Sequence, residues 1–204
     1  MAVSNLQDLY LMKLQLIYDA EQQGLQAMSM MGESVTNPEL RRGLEMHRTQ
    51  TEQQVRRLEQ LFQLEGMSPN AQECTSFRAL IDEAQTVMSG IQDPTTRDAY
   101  IVAAQQAAEH HEIAAYGTAR AWAQQLGRDE AVGLLEQTLD EEKQADKLLT
   151  QMAERRVNEE ASEGVSASDR DVTPGAHRDR AASGAAGGAS SRAGAMQDSM
   201  DSTA

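Results

Sequence analysis

Residues 14–28 read LQLIYDAEQQGLQAM, and their apolar side chains recur at helical spacing with one exception. Leu14, Ile17, Leu25 and Met28 share one helix face with Glu21, because the steps between them alternate between three and four residues. A carboxylate on a core-facing stripe is costly unless it is neutral, paired with a cation or bound to a metal. The stretch therefore predicts an amphipathic helix of a bundle and indicates that Glu21 has a partner.

The same interruption occurs in three later stripes. Polar side chains stand at core positions in the segments Leu44-His47-Thr51-Gln54-Leu58, Val102-Gln105-Glu109-Glu112-Tyr116 and Leu135-Leu139-Glu142-Asp146-Leu149. Four helices are thus predicted to direct polar groups inward. Such a set favours either a metal site or a buried hydrogen-bond network.

Cap and breaker residues define a first helical hairpin. Ser4 has the character of a helix N-cap, and the first helix is predicted to run from there to about Met31. Asn37 and Pro38 read as N-cap and first helical position of a second helix, which ends before Gly66. The short connection predicts antiparallel neighbours.

The pattern then repeats. Asp93-Pro94 opens a third helix that ends at Gly127, and a fourth follows from about Asp129 to Arg155. Residues 67–92 form the long connection, with a short helix predicted from Cys74 to Met88. Two hairpins joined by one long crossover predict an all-α, ferritin-like four-helix bundle.

The helical pattern ends near Val157. We expect residues 1–156 to form the bundle and residues 157–204, which are rich in Ala, Gly and Ser, to be a disordered C-terminal tail. Segments of that composition have too few large apolar side chains to form a core.

Composition limits the classes of function. The formal charge of −14 argues against a nucleic-acid partner and suits cations better. No apolar run approaches the ~20 residues that span a bilayer, so a membrane role is not expected. Cys74 is the single cysteine, and the sequence starts without the pattern of a signal peptide. These features predict a cytoplasmic protein.

Spacing relates the inward polar groups to one another. The positions of Glu109 and Glu142 differ by 33, and so do those of Glu21 and Gln54. Equal spacing across two hairpins predicts that the four side chains lie at similar depth. Dinuclear iron and manganese sites in such bundles combine glutamates with Glu-x-x-His motifs. We therefore predict a carboxylate-rich dinuclear site with the ligands Glu21, Gln54, Glu109, Glu112, Glu142 and Asp146.

Histidine is scarce in this set. Thr51 and Gln54 occupy the places of a Glu-x-x-His motif in the second helix, and Ala145 lies where the fourth helix would have a histidine. A histidine-poor site suits hard ions such as iron or manganese. His47 could be a ligand, a hydrogen-bond donor to a ligand, or an ordinary buried histidine. We predict that His47, Thr51 and Tyr116 do not bind the metal themselves but contact the ligands and orient them.

One string of the third helix is typical of a known family. Residues 109–118, EHHEIAAYGT, resemble the YciE/YciF stress-protein family. Supporting pieces are Leu16 to Gln22, His47 with Thr51 and Gln54, Arg57-Leu58-Glu59, Cys74, and Leu139 to Glu142 with Asp146. The resemblance covers residues 5–153. It implies a ferritin-like homodimer with a dinuclear metal centre and a link to stress response.

Three functions are compatible with these features. The first is a metal-binding stress protein in which iron or manganese handles oxygen or peroxide. The second is a non-catalytic interaction protein whose inward polar residues form a structural network. The third is an iron-storing mini-ferritin that shields DNA, against which the net acidity and the missing histidines count.

Overall fold

The computed structural model describes residues 3–165 and contains no strand within that range. The helices are α1 Leu6–Ser34, α2 Pro38–Leu64, α3 Thr75–Gly90, α4 Pro94–Gln125 and α5 Asp129–Met152, followed by a π-helical turn Ala153–Val157 and α6 Asn158–Glu163. The hairpins α1–α2 and α4–α5 form the bundle, and α3 lies in the crossover between them. This confirms the predicted four-helix fold. None of these helices has an apolar stretch that would cross a bilayer.

The helix ends follow the caps in the sequence. Asn37 accepts hydrogen bonds from the backbone N–H groups of Glu39 and Leu40 at 2.9 and 3.1 Å. Asp93 accepts one from the N–H of Thr96 at 2.7 Å. The first helix differs from the prediction, because Asn5 caps α1 in place of Ser4. Asn5 accepts the N–H of Asp8, while the N–H of Ser4 donates to the Asp8 carboxylate.

Two glycines end helices by a backbone conformation that other residues rarely adopt. Gly66 follows α2 with a φ of 67°, and Gly127 follows α4 with a φ of 68°. Left-handed backbone of this kind has little steric cost for glycine. The predicted helix stops at these two positions are therefore confirmed.

The core has three layers along the bundle. One apolar cluster includes Tyr10, Leu14, Leu58, Tyr116 and Leu135, and a second includes Val35, Leu44, Val102 and Leu149. A band of buried polar residues lies between them in the sequence of α1, α2, α4 and α5: Glu21, His47, Thr51, Gln54, Gln105, Glu109, Glu112 and Glu142. In each of these four helices the inward polar groups therefore lie between two apolar segments.

Helix α3 covers one side of the bundle. Phe77 is 2% exposed and packs with Cys74 and Ala20, and α3 contacts both α1 and α4. Phe77 also makes an edge-to-face contact with the ring of His111 at a centroid distance of 5.3 Å. These contacts pack the crossover against α1 and α4, the helix that carries Glu112.

Helical structure continues past residue 156, the boundary that the sequence indicates. Val157 is 2% exposed and belongs to the second apolar cluster. The Asn37 side-chain amide donates to Glu160 at 3.0 Å, which links α6 to the start of α2. The burial of Val157 and this hydrogen bond stabilise helical structure after residue 156 that composition alone does not predict. The rest of the predicted tail, residues 166–204, lies outside the described residues.

The loop between α1 and α2 is held by a carboxylate of α4. Asp98 is 2% exposed and accepts hydrogen bonds from the N–H of Thr36 at 3.0 Å, the hydroxyl of Thr36 at 2.6 Å and the N–H of Asn37 at 2.6 Å. Removing the carboxylate would leave these donors without a partner. The loop position, and with it the start of α2, depends on this residue.

We predict that Asp98→Ala lowers the free energy of unfolding by roughly 2–3 kcal/mol, because buried donors lose their acceptor. The matched control is Asp140→Ala, since Asp140 is exposed and pairs only with Lys143 at 3.2 Å. That change should cost less than about 0.5 kcal/mol. Urea unfolding of both variants in the presence of a chelator measures the difference, and equal effects would contradict the assignment.

Candidate metal centre

Four side chains from three helices converge in the polar band. His47 extends from α2, Glu109 and Glu112 from α4, and Glu142 from α5. One ligand-capable atom from each lies within 4.8 Å of all the others. The exposed fractions are 0% for Glu109 and Glu142, 4% for Glu112 and 7% for His47. Helical spacing explains the α4 pair, because residues three apart share a face.

His47 and Glu109 form a buried ion pair. The Nε2 atom of His47 lies 3.0 Å from Oε1 of Glu109 and 3.9 Å from Oε2 of Glu142. Burial lowers the pKa of His47, but the hydrogen bond and charge of Glu109 outweigh burial and raise it. The pKa of Glu109 shifts the opposite way: burial raises it, and the contact with His47 brings it below its ordinary value. Glu109 is therefore the carboxylate that stays ionised.

The other two carboxyl groups of the cluster favour their neutral forms. Burial raises the pKa of Glu112, and the nearby charges of Glu21 and Glu109 raise it further. Burial followed by the charges of Glu112 and Glu21 does the same for Glu142. One imidazolium cannot balance this many carboxylates in a medium of low dielectric constant. Full ionisation of the cluster requires additional positive charge.

Glu21 of α1 adjoins this group. It is 1% exposed, and its Oε1 atom accepts a hydrogen bond from the hydroxyl of Tyr116. Burial raises the pKa of Glu21 to about 7, although the Tyr116 bond and the charge of His47 act in the other direction. Glu21 is thus a fourth buried carboxyl in electrostatic contact with the cluster, held in place by a tyrosine one turn beyond Glu112.

Within residues 3–165, several buried polar atoms of the band have no hydrogen-bond partner. They are Oε2 of Glu109, both carboxylate oxygens of Glu142, Nδ1 of His47 and Oε1 of Gln54. Buried polar atoms are satisfied in the great majority of cases, so an unsatisfied group in one place calls for a missing partner. Carboxylate oxygens with free lone pairs are the donors that hard cations take. The residues present therefore fit a metal ion.

Comparison with known proteins agrees with the fold. Residues 5–162 match the family described as a domain of unknown function, DUF892. The chain belongs to this family. Protein YciF of Escherichia coli is 34% identical over 162 residues, which are 79% of this chain and 98% of YciF. The predicted YciE/YciF relationship is thereby confirmed.

Solved structures of this family superpose on the chain. The Escherichia coli stress protein YciF gives a TM-score of 0.73 at 33% identity and covers 76% of this chain and 99% of its own. YcfI from Rhodopseudomonas palustris gives 0.72 at 43% identity and covers 72% and 94%. The DUF892 fold therefore extends over the whole bundle, including all four helices that supply the polar band.

Three predicted ligands of this DUF892 chain lie outside the group of four: Glu21, which adjoins it as described above, Asp146 and Gln54. Asp146 accepts a hydrogen bond from Gln106 at 3.2 Å, lies 3.4 Å from the ring of His110, and its side chain is 23% exposed. Gln54 is fully buried, but its amide nitrogen donates to Glu141 at 3.3 Å. The structure thus brings Glu109, Glu112 and Glu142 together and directs Asp146 to the edge of the bundle.

The three residues predicted to support the ligands lie in different places. His47 lies within the group itself, and Tyr116 supports Glu21 as described above. The Thr51 hydroxyl donates to the backbone carbonyl of His47 at 3.1 Å, so it is used within α2.

The sequence did not predict two further side-chain contacts at the polar band. Gln105 donates to Oε1 of Glu109 at 2.8 Å and fixes the same carboxylate that pairs with His47. Arg57 binds Glu141 through two nitrogens at 2.7 and 2.8 Å and also donates to Thr138 at 2.8 Å. Gln105 was visible as an inward polar residue one turn before Glu109. The Arg57–Glu141 pair depends on how α2 faces α5, which periodicity does not specify.

We predict that metal-free protein loses stability as the pH rises from 5 to 8. Glu21 holds its proton more tightly in the folded chain, so its contribution is complete below about pH 4.5 and is lost as the pH rises through about 7. That residue alone gives a decrease on the order of 3 kcal/mol. The raised pKa values of Glu112, Glu142 and His47 act in the same direction.

Chemical unfolding in a chelator at several pH values measures this slope. Glu112→Gln should flatten it, because a neutral amide replaces a carboxyl that resists ionisation. Glu83→Gln serves as the control, since Glu83 is exposed on α3 and should leave the slope unchanged. Stability that is constant or increases over this pH range would contradict the described electrostatics.

Proposed function

We propose that this chain is a ferritin-like metal-binding protein that holds two iron or manganese ions in the polar band. Glu109, Glu112, Glu142 and His47 would be ligands, and Glu21 would be the adjoining carboxylate. The observation that carries this proposal is the convergence of His47, Glu109, Glu112 and Glu142 in a buried layer, where burial and neighbouring charges raise the pKa values of Glu112 and Glu142. A divalent cation supplies the charge that this group needs.

The ligand set favours two hard ions over one soft ion. Four carboxyl groups and one imidazole offer enough oxygen atoms to bridge a metal pair, whose ions in such sites are ~3.5–4 Å apart. No cysteine lies in the group, and its single histidine makes a zinc site of the usual kind less suitable. Iron and manganese match a carboxylate-rich set in a helical bundle.

Bound metal would supply the capacity to reduce oxygen or peroxide. The chain's own residues hold the ligands. Gln105 orients Glu109, Tyr116 orients Glu21, and the apolar clusters on either side enclose the band. Such chemistry agrees with the description of the relative YciF as a stress protein.

One cavity leads to this centre. A cavity of about 440 Å³ between α2 and α5 reaches His47 and Glu109. Its walls include Gln50, Gln144 and Lys147. Amide and ammonium groups suit the passage of hydrated ions and small oxidants. The proposal also includes a homodimer in the cytoplasm, as the family resemblance and the sequence led us to expect.

One observation favours a second candidate, a non-catalytic bundle whose polar residues form a structural network. Arg57, Glu141, Thr138 and the amide nitrogen of Gln54 make such a network between α2 and α5. Its groups are paired, in contrast to the oxygens of Glu142. The two candidates differ in metal content, because a structural network needs no ion.

We predict that protein purified and reconstituted with iron or manganese under anaerobic conditions binds two ions per chain. Glu109→Ala should lose most of this metal and the oxidation of Fe(II) on exposure to oxygen, because it removes the ionised carboxylate. Glu83→Ala is the exposed control and should retain both. Asp146→Asn should also retain the metal, since Asp146 is bound to Gln106 at the edge.

Elemental analysis and Fe(II) oxidation rates measure these outcomes. Unchanged metal content in Glu109→Ala, or wild-type protein that takes up no metal and gains no thermal stability from it, would favour the structural network. Size-exclusion chromatography checks the dimer, and a large cage would instead point to a mini-ferritin.

A further inference from the structure

A second cavity, of about 520 Å³, lies between α1, α3 and α4. Its volume is within the range of ~300–1,000 Å³ that small-molecule sites occupy. The walls are largely apolar and include Met28 and Met31 of α1 and Leu80, Ile81 and Met88 of α3. Methionine side chains adapt to the shape of a flexible ligand.

Small residues create the space. Gly24 and Ala27 of α1, Ala84 of α3 and Ala104 and Ala108 of α4 line the cavity where longer side chains would fill it. The lining is also elongated. On α4 it extends from residue 97 to residue 112, which at ~1.5 Å per residue corresponds to about 22 Å along the helix axis.

The two ends of this lining carry different polar groups. At one end Glu112 and His47 belong to the carboxylate-rich cluster. At the other end lies Arg97, whose guanidinium donates one hydrogen bond to the carbonyl of Ile91 at 2.8 Å. Within residues 3–165 no carboxylate pairs with Arg97. Four of its five N–H donors thus remain for a ligand.

We propose that this cavity binds a free, elongated amphiphile with one anionic head group, of the fatty-acid type. The carboxylate head pairs with Arg97, because this guanidinium lines the cavity and donates only one hydrogen bond within the described residues. The hydrocarbon body lies along Met28, Leu80 and Ile81. Its far end reaches the side of the cluster formed by Glu112. The binding does not depend on a bound metal.

Other occupants are less suited to this shape. Residues 166–204 contain few large apolar side chains, namely Val172, Met196 and Met200. A second copy of the chain would have to insert a side chain or segment into the space between these three helices. A single-chain carboxylate matches both the apolar walls and the unpaired arginine.

Isothermal titration of the full chain with dodecanoate tests the proposal, in metal-free and in metal-loaded protein. We expect saturable binding of one ligand per chain in both forms. Arg97→Gln should weaken dodecanoate binding about tenfold or more and leave binding of the neutral analogue dodecanol unchanged. Arg78→Gln, an exposed change on α3, is the charge control and should have no effect.

Ala104→Phe tests the location, since it fills the middle of the cavity and should abolish binding of both ligands. Its control is Ala103→Phe on the exposed face of the same helix. No saturable binding to wild type, as expected if residues 166–204 or a second copy fill the cavity, would overturn the proposal. Equal effects of Ala104→Phe and Ala103→Phe, or of Arg97→Gln and Arg78→Gln, would also overturn it. Because the metal-free form is included, these results are distinguishable from failure of the metal site.

Discussion

The burial of several carboxyl groups in one layer of a helical bundle is the constraint on which this structure depends. Taking a single carboxylate out of water is costly, and neighbouring carboxylates raise that cost further. The chain places these groups between two apolar clusters, where they are at most 4% exposed and little water solvates them. Glu109 is compensated by His47, whereas Glu112, Glu142 and Glu21 keep their protons or require a cation. Because these carboxyl groups have too little compensating positive charge, the layer has an affinity for cations in addition to its role in packing the helices.

The rest of the fold positions this layer. The capped starts of α2 and α4 and the glycines that end both helices set the lengths of the hairpins. Asp98 of α4 binds the loop after α1 and thereby holds the two hairpins in place relative to each other. Gln105 and Tyr116 fix individual carboxylates on either side of Glu112. A ligand set held by such contacts loses little conformational freedom when an ion binds, which is the condition for a preorganised site.

Much of this arrangement could be predicted from the sequence. Asn37-Pro38 and Asp93-Pro94 mark helix starts through local chemistry, and the interrupted stripes identify which residues face inward. The sequence was less informative about residues at the border between the inward and outward faces of a helix. Asp146 shares a stripe with Glu142, yet it lies at the edge of the bundle and accepts a hydrogen bond from Gln106. The same uncertainty applies to His47, whose place in the cluster depends on how deeply α2 packs. Helix α6 depends on Val157 and one long-range bond from Asn37, which composition does not reveal.

Anomalous X-ray diffraction from crystals loaded with manganese tests the central claim most directly. We predict two anomalous peaks in the polar band, ~3.5–4 Å apart, within coordination distance of carboxylate oxygens of Glu109, Glu112 and Glu142. An imidazole nitrogen of His47 should complete the set. Loaded crystals that show no anomalous density between these side chains, with ordered water bonded to the oxygens of Glu142 instead, would contradict the account.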